Sequence, residues 1–254
     1  MSAMLVRLLP RTDLSTLRCC DALATSANAG LAGNANPNFW RFAGKRSADG
    51  ALHRAAGPCL LAACEAFPLV SNVRCNISNA VVTPAFNLHS AVVIHAVAPD
   101  GLYAAGIQQW WGRRQRSGSP NAPAVHLEEA TPASEANSLL EDTFTAIIEA
   151  ARTEGVGSVG MPAVGSGVLS WEAGQAAKVA FGAFAKAALA YGGSGGGGGG
   201  GRLEHINVAF LDDAAFASWS SVARSLLGEP AIGEQGIETY DLRRGAGGLQ
   251  LLSG

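Results

Sequence analysis

Short apolar runs alternate with longer amphipathic stretches along most of the chain. Six apolar runs are typical of strands: Leu5–Leu9, Asp21–Ala27, Ala80–Pro84, Ala91–Val97, Gly157–Pro162 and Ile206–Leu211. Three stretches carry apolar residues at helical spacing: Glu135–Thr153, Trp171–Tyr191 and Asp213–Leu227. Strands that alternate with helices predict a layered α/β domain with a largely parallel sheet. In such sheets, ligands bind where strands end and loops lead into helices.

Four segments interrupt this pattern. Residues 34–47 mix aromatic and basic side chains, 110–132 are rich in proline, glycine and serine, and 192–201 are nearly all glycine. We interpret these as two inserts and a flexible loop within one domain that spans residues 1–227. The last segment, 228–254, shows no periodicity, and we expect it to be a loosely held tail.

Composition excludes several classes of protein. The chain has 254 residues, 48% of them apolar, which is incompatible with intrinsic disorder. A net charge of -2 gives no electrostatic basis for a nucleic-acid partner. No apolar run is long enough to span a membrane, so we expect a soluble protein.

The cysteine pattern bears on compartment and on metal binding. The five cysteines include no CxxC pair, and neither they nor the histidines have the spacing of metal ligands. We therefore expect no metal, no disulfide framework and a reducing intracellular compartment. The N-terminal 20 residues resemble a transit peptide in part, and import into an organelle stays open, although Leu5–Leu9 is better explained as a strand.

Three loops at predicted strand ends carry the candidate chemistry. They span residues 26–31, 47–58 and 161–170. In the third, Gly165-Ser166-Gly167 precedes a helix, so its backbone N–H groups and the helix dipole would favour an anion. Small residues would let a diphosphate approach the backbone. By itself this turn is better explained as a simple change of chain direction, because many glycine turns bind nothing.

Six sequence blocks extend this observation to a family. In order they are TDL (12–14), DALATSAN (21–28), ADGALHRAAGP (48–58), VTPAFNL (82–88), VIHAVAP (93–99) and PAVGSGV (162–168). Together they resemble the macrodomain, an α/β module that binds ADP-ribose. The resemblance covers about residues 4–226 and implies a three-layer α/β/α sandwich around a mixed sheet of about six strands.

The resemblance also implies a role for individual residues. Asp13 would accept a hydrogen bond from the adenine amino group beside the Leu14 backbone N–H, and Asn28 would bind the distal ribose. Asp49 would be the catalytic carboxylate, with Asn28 orienting the ribose. The remaining ligand contacts implied are Gly50, Leu169, the diphosphate-binding Gly165, Ser166, Gly167 and Val168, and Leu211. Leu211 stands where many members of the family place an aromatic side chain over the adenine, so that stacking contribution is missing.

Some of these residues also have a purely structural interpretation. Asp13 would cap a turn, and Asp49 would be the N-cap of the helix that follows it. His53 shares a helix face with Asp49, and either orients it or simply packs there. Thr25 replaces the usual asparagine of the family, which weakens one polar contact.

We also expect three aromatic residues to belong to the core. His95 lies in a buried strand, where a hydrogen-bonded core histidine is the simplest interpretation. Trp171 and Phe86 are more typical of core residues than of ligand contacts.

The resemblance predicts a protein that recognises ADP-ribose and hydrolyses ADP-ribosyl linkages, without a cofactor. Its partner would be ADP-ribose or an ADP-ribosylated protein. Two alternatives stay open: a reader of ADP-ribose marks without turnover, and a phosphatase acting on ADP-ribose 1″-phosphate. In the latter, Lys45 and Arg46 of the first insert would hold the phosphate.

Overall fold

The computed structural model describes residues 4–33, 47–101, 133–167, 169–191 and 203–243. Residues 34–46 and 110–132 of the two inserts, and the glycine-rich segment 192–201, lie outside this set. Lys45 and Arg46 therefore lie outside it too. None of the described helices is long and apolar enough to cross a lipid bilayer.

The described residues form one sheet and five α-helices. The strands are β1 (Leu5–Leu9), β2 (Ala22–Ser26), β3 (Ala80–Pro84), β4 (Val92–Ala96), β5 (Ser158–Pro162), β6 (His205–Ala209), β7 (Ala231–Ile232) and β8 (Glu238–Asp241). The helices are α1 (Ala48–Ala56), α2 (Pro58–Glu65), α3 (Ala133–Thr153), α4 (Ala173–Tyr191) and α5 (Asp213–Leu227). Short 3-10 helices cover Leu14–Thr16 and Glu234–Gly236.

The sheet is mixed, with a parallel centre. Its strand order is β3-β4-β2-β5-β6-β1-β8-β7. The five strands from β4 to β1 run parallel, whereas β3 pairs antiparallel with β4, and β8 pairs antiparallel with β1. All five central strands therefore end at the same edge of the sheet, where the loops after β1, β2, β5 and β6 meet.

Helices cover both faces of the sheet, as predicted. The apolar sides of α3, α4 and α5 pack on one face around Phe144, Phe181 and Trp219, which are fully buried. On the other face α1, α2 and the first 3-10 helix bury a separate cluster that includes Leu52 and Leu60. The three-layer α/β/α architecture is confirmed.

Two expectations about the C-terminal part are wrong. The sheet has eight strands instead of about six, and within the predicted tail strands β7 and β8 belong to it. Strand β8 alternates buried and half-buried residues, and its buried Glu238 accepts hydrogen bonds from Arg224 of α5 and from the Tyr240 hydroxyl. The inward-facing residues of β8 are Glu238 and Tyr240, so the strand has no alternation of apolar and polar residues that would predict it, and its partner β1 lies at the other end of the chain.

Candidate functional site

The loops that carry the predicted site residues lie side by side at one edge of the sheet. Asn28 follows β2, the Gly165 turn follows β5, Leu211 follows β6 and Asp13 follows β1. These four strands are consecutive neighbours in the sheet. The first and the last of these loops are three strand spacings apart, a distance of about 14 Å. The arrangement suits an extended ligand whose two ends differ and whose middle lies at β5.

Asp49 is the buried acidic group of this edge. It is the second residue of α1 and is only 2% exposed. The Thr25 hydroxyl, on β2, donates a hydrogen bond of 3.1 Å to Asp49 Oδ1. The interpretation of Asp49 as the N-cap is wrong, because Ser47 precedes the helix and its hydroxyl accepts a hydrogen bond from the Gly50 N–H.

His53 connects this carboxylate to the loop that follows β2. His53 Nε2 lies 3.7 Å from Asp49 Oδ1, one helical turn away. On its other side the ring packs against Gly33, where an added Cβ would lie 3.0 Å from Nδ1. Within that loop, the Ala32 N–H donates to Asn28 Oδ1 over 3.2 Å. The Asn28 amide nitrogen has no partner among the described residues, so it can donate to a ligand.

The loop after β5 provides some of the predicted anion-binding groups but not all of them. Gly165 adopts a positive φ of 91°, and its Cα packs against the Trp171 ring. The Ser166 N–H already donates to the Ala163 carbonyl, so it is not the free donor that the sequence predicted. In the described part of the chain, the Gly165 and Gly167 N–H groups have no backbone acceptor.

The two residues that end the predicted diphosphate loop are less informative. Val168 lies outside the described residues. Leu169 is half-buried, and its carbonyl accepts a hydrogen bond from the Gly101 N–H. Leu169 therefore holds the base of the loop in place.

The opposite end of the edge holds Asp13, Leu14 and Leu211. Asp13 Oδ1 caps the 3-10 helix, because it accepts hydrogen bonds from the Ser15 N–H and hydroxyl at 2.9 and 2.8 Å. Its Oδ2 has no partner among the described residues and is open to a donor. The Leu14 side chain is buried, whereas Leu211 is 63% exposed and offers apolar surface. The capping and the adenine-binding interpretations of Asp13 are therefore compatible, since each uses a different oxygen.

A buried cluster behind Asp49 has no counterpart among the sequence predictions. Potential metal-ligating atoms of His53, Cys64 and His95 lie within 4.8 Å of one another. They come from α1, α2 and β4, so no spacing along the chain could have revealed them. His95 Nε2 lies 2.9 Å from the Thr83 hydroxyl, a hydrogen bond within the core. Burial, with a further contribution from the nearby His53, lowers the pKa of His95 to about 3, and burial, together with the Asp49 charge, raises the pKa of Cys64 to about 11.

The other expectations about aromatic residues have different outcomes. His95 is fully buried and hydrogen-bonded, and Trp171 is 5% exposed and donates to the Pro99 carbonyl; both core predictions are confirmed. The prediction for Phe86 is wrong, since its side chain is 42% exposed. It lies in the turn between β3 and β4 at a φ of 52°, where the chain direction is set by the turn and the ring points away from the core.

Comparison with known proteins agrees with this architecture. The Macro domain family model matches residues 28–106. A macro domain-containing protein of Vibrio parahaemolyticus is 32% identical over 146 residues, which cover 58% of this chain and 67% of that protein. The O-acetyl-ADP-ribose deacetylase of Cronobacter sakazakii is 30% identical over 65% of this chain and 70% of its own. The matched region thus spans about two thirds of each relative.

Solved structures show the same fold. The Trypanosoma brucei macrodomain in complex with ADP has a TM-score of 0.59 and 21% identity, covering 86% of this chain and 68% of that chain. A structure of the Trypanosoma brucei macrodomain in complex with ADP-ribose has a TM-score of 0.58, also at 21% identity, and covers 84% and 67%.

The fold is a three-layer α/β/α domain whose candidate site lies in the loops at one edge of the sheet. The relatives identify its family: this chain belongs to the macro domain family.

Proposed function

We propose that this chain binds ADP-ribose along the carboxyl edge of its sheet and hydrolyses an acyl ester on the distal ribose. The observation that carries the proposal is the buried Asp49 carboxylate, which accepts a hydrogen bond from Thr25 and lies 3.7 Å from His53 Nε2 beside the loop of Asn28. Relatives named O-acetyl-ADP-ribose deacetylase and a macrodomain structure with ADP-ribose support both the ligand and the type of reaction.

Each part of the ligand has a matching group along this edge. The carboxylate Oδ2 of Asp13 accepts a hydrogen bond from the adenine amino group, and Leu211 covers the base. The N–H groups of Gly165 and Gly167 bind the diphosphate, and Asn28 donates to a hydroxyl of the distal ribose. The neutral adenine and ribose ends therefore lie on either side of the charged centre.

Asp49 supplies the chemistry in this scheme. Water attacks the ester carbonyl while Asp49 accepts a proton from that water; the bond between the carbonyl carbon and the ribose oxygen breaks, and the proton passes to that oxygen. The products are ADP-ribose and a carboxylic acid. A glutamate or aspartate side chain esterified to ADP-ribose would be cleaved in the same way, because it presents the same ester to the carboxylate.

The proposal is tested by replacing Asp49 with asparagine, which conserves volume and still accepts a hydrogen bond from Thr25. We expect Asp49→Asn to bind ADP-ribose within a few-fold of wild type and to lose at least about 100-fold in turnover, the lower end of general-base effects. Glu154→Gln, which neutralises an exposed carboxylate after α3, is the matched control and should change neither quantity. Affinity is measured by calorimetry. Turnover is measured with O-acetyl-ADP-ribose and with a protein ADP-ribosylated at glutamate as substrates.

The competing functions predict other results. Full turnover in Asp49→Asn would remove this carboxylate from the mechanism. Tight binding of ADP-ribose by the wild type without turnover on either ester would indicate a reader. Release of phosphate from ADP-ribose 1″-phosphate, without ester cleavage, would indicate the phosphatase.

A further inference from the structure

Thr25 makes a polar contact between the sheet and helix α1. It lies on β2, is fully buried, and is separated from Asp49 by 24 residues along the chain. Its hydroxyl donates the 3.1 Å hydrogen bond to Asp49 Oδ1 across the gap between the two elements. A hydroxyl carries a single proton, so this bond is directional, and the β-branched side chain restricts its rotation about χ1.

A buried carboxylate responds strongly to such a donor. Burial favours the neutral acid, whereas a hydrogen bond donated to an oxygen favours the ionised form. A carboxylate that accepts a proton during catalysis must be ionised and must direct one oxygen at the water. The Thr25 hydroxyl is placed to serve both requirements, because it donates to Oδ1 from inside the fold.

We propose that Thr25 is a positioning residue, whose hydroxyl holds the Asp49 carboxylate ionised and in the orientation that ester hydrolysis requires. This inference rests on the function proposed above for Asp49. In the sequence, the threonine is visible only as the loss of a family asparagine. In the folded chain it makes its own contact, with the carboxylate.

Other titratable groups face Asp49 from the elements packed around it. His53 lies on the same helix, and the Asp49 charge contributes to the raised pKa of Cys64 on α2. His95 on β4 lies one ring further away, with its centroid 5.9 Å from that of His53. Thr25 itself does not titrate, so its replacement changes the environment of Asp49 without adding or removing a charge.

Two substitutions separate the hydroxyl from the shape of the side chain. Thr25→Val removes the donor and keeps the branching, whereas Thr25→Ser keeps the donor. Thr143→Val is the matched control, because Thr143 is also fully buried but its hydroxyl donates to the Leu139 carbonyl within α3. The measurements on the full chain are the carboxyl titration of Asp49 by ¹³C NMR, the pH profile of kcat on O-acetyl-ADP-ribose, and the Kd for ADP-ribose.

We expect Thr25→Val to move the midpoint of the Asp49 titration upward by about one pH unit, the order of effect of one hydrogen bond to a carboxylate. The acid limb of the kcat profile should move with it, while the Kd for ADP-ribose stays within a few-fold. Thr25→Ser should restore both, and Thr143→Val should leave both unchanged.

A merely structural threonine predicts a different result. Thr25→Val would then lower the Tm but leave the midpoint of the titration and the acid limb in place, which would overturn the inference. The NMR titration does not depend on turnover. If the wild type cleaves no ester, the proposed function fails. The midpoint of the Asp49 titration in Thr25→Val still shows in that case whether the Thr25 hydroxyl stabilises the ionised carboxylate.

Discussion

Gly165 and Gly167 lie two residues apart in the loop after β5, and the structure predicts opposite consequences for the same substitution. Gly165 has a φ of 91°, and an added Cβ would lie 3.1 Å from Cδ1 of Trp171. At Gly167 φ is not positive, and no atom of the described residues beyond its chain neighbours lies within 4 Å of an added Cβ. Alanine at the first position therefore stresses the fold, whereas alanine at the second affects only what binds there.

The magnitude for Gly165→Ala follows from backbone strain and packing. A non-glycine residue in a sparsely populated φ region costs about 1–3 kcal/mol. The Trp171 ring has little freedom to move, because it is 5% exposed and its Nε1 donates to the Pro99 carbonyl. A loss of about 2 kcal/mol would lower the Tm of a chain of this size by about 4–8 °C.

The free energy of unfolding of Gly167→Ala should lie within about 0.5 kcal/mol of the wild-type value, as for other exposed substitutions. Its methyl group would nevertheless keep a phosphate oxygen from the loop N–H groups, so we expect at least about a tenfold higher Kd for ADP-ribose, or about 1.4 kcal/mol. Thermal unfolding and calorimetric titration on the same samples measure both effects. Wild-type affinity in Gly167→Ala would refute the placement of the diphosphate, and wild-type stability in Gly165→Ala would refute the strain argument.

Two further predictions concern Asp13 and His95. Asp13→Ala should weaken ADP-ribose binding by about 1.5–3 kcal/mol, the range for a charged hydrogen bond, and calorimetry that shows no change would leave Asp13 only as the cap for Ser15. His95 is neutral in the folded protein, because burial lowers its pKa from 6.5 to about 3, so the unfolded chain binds the extra proton between these values. The free energy of unfolding should therefore fall as the pH drops through this window, by up to about 1.4 kcal/mol per pH unit. Urea titrations at several pH values should show a smaller dependence on pH for His95→Gln. An equally steep dependence in the variant would exclude His95 as the cause.

The sequence alone determined most of the elements and their order. Helix α5 was predicted with both of its bounds from apolar residues at helical spacing. The structure adds the caps that fix these bounds: Asp212 accepts hydrogen bonds from the first turn, and Gly228 ends the helix at a positive φ. Apolar runs predicted six of the strands, because burial on a sheet requires consecutive apolar residues. The order of the sequence blocks also predicted that Asn28 and the Gly165 turn lie in loops at strand ends. The expectation of a further loop over residues 47–58 is wrong, because Asp49 lies in the first turn of helix α1.

Tertiary structure alone decided which groups in the site contact each other. The Thr25–Asp49 hydrogen bond and the grouping of His53 with Cys64 and His95 join residues of different elements, at distances along the chain that no periodic pattern encodes. The use of the Ser166 N–H by a neighbouring carbonyl depends on the turn geometry, which several sequences can adopt. Side-chain identity specifies what chemistry is available, whereas the packing of sheet against helices determines which donor meets which acceptor.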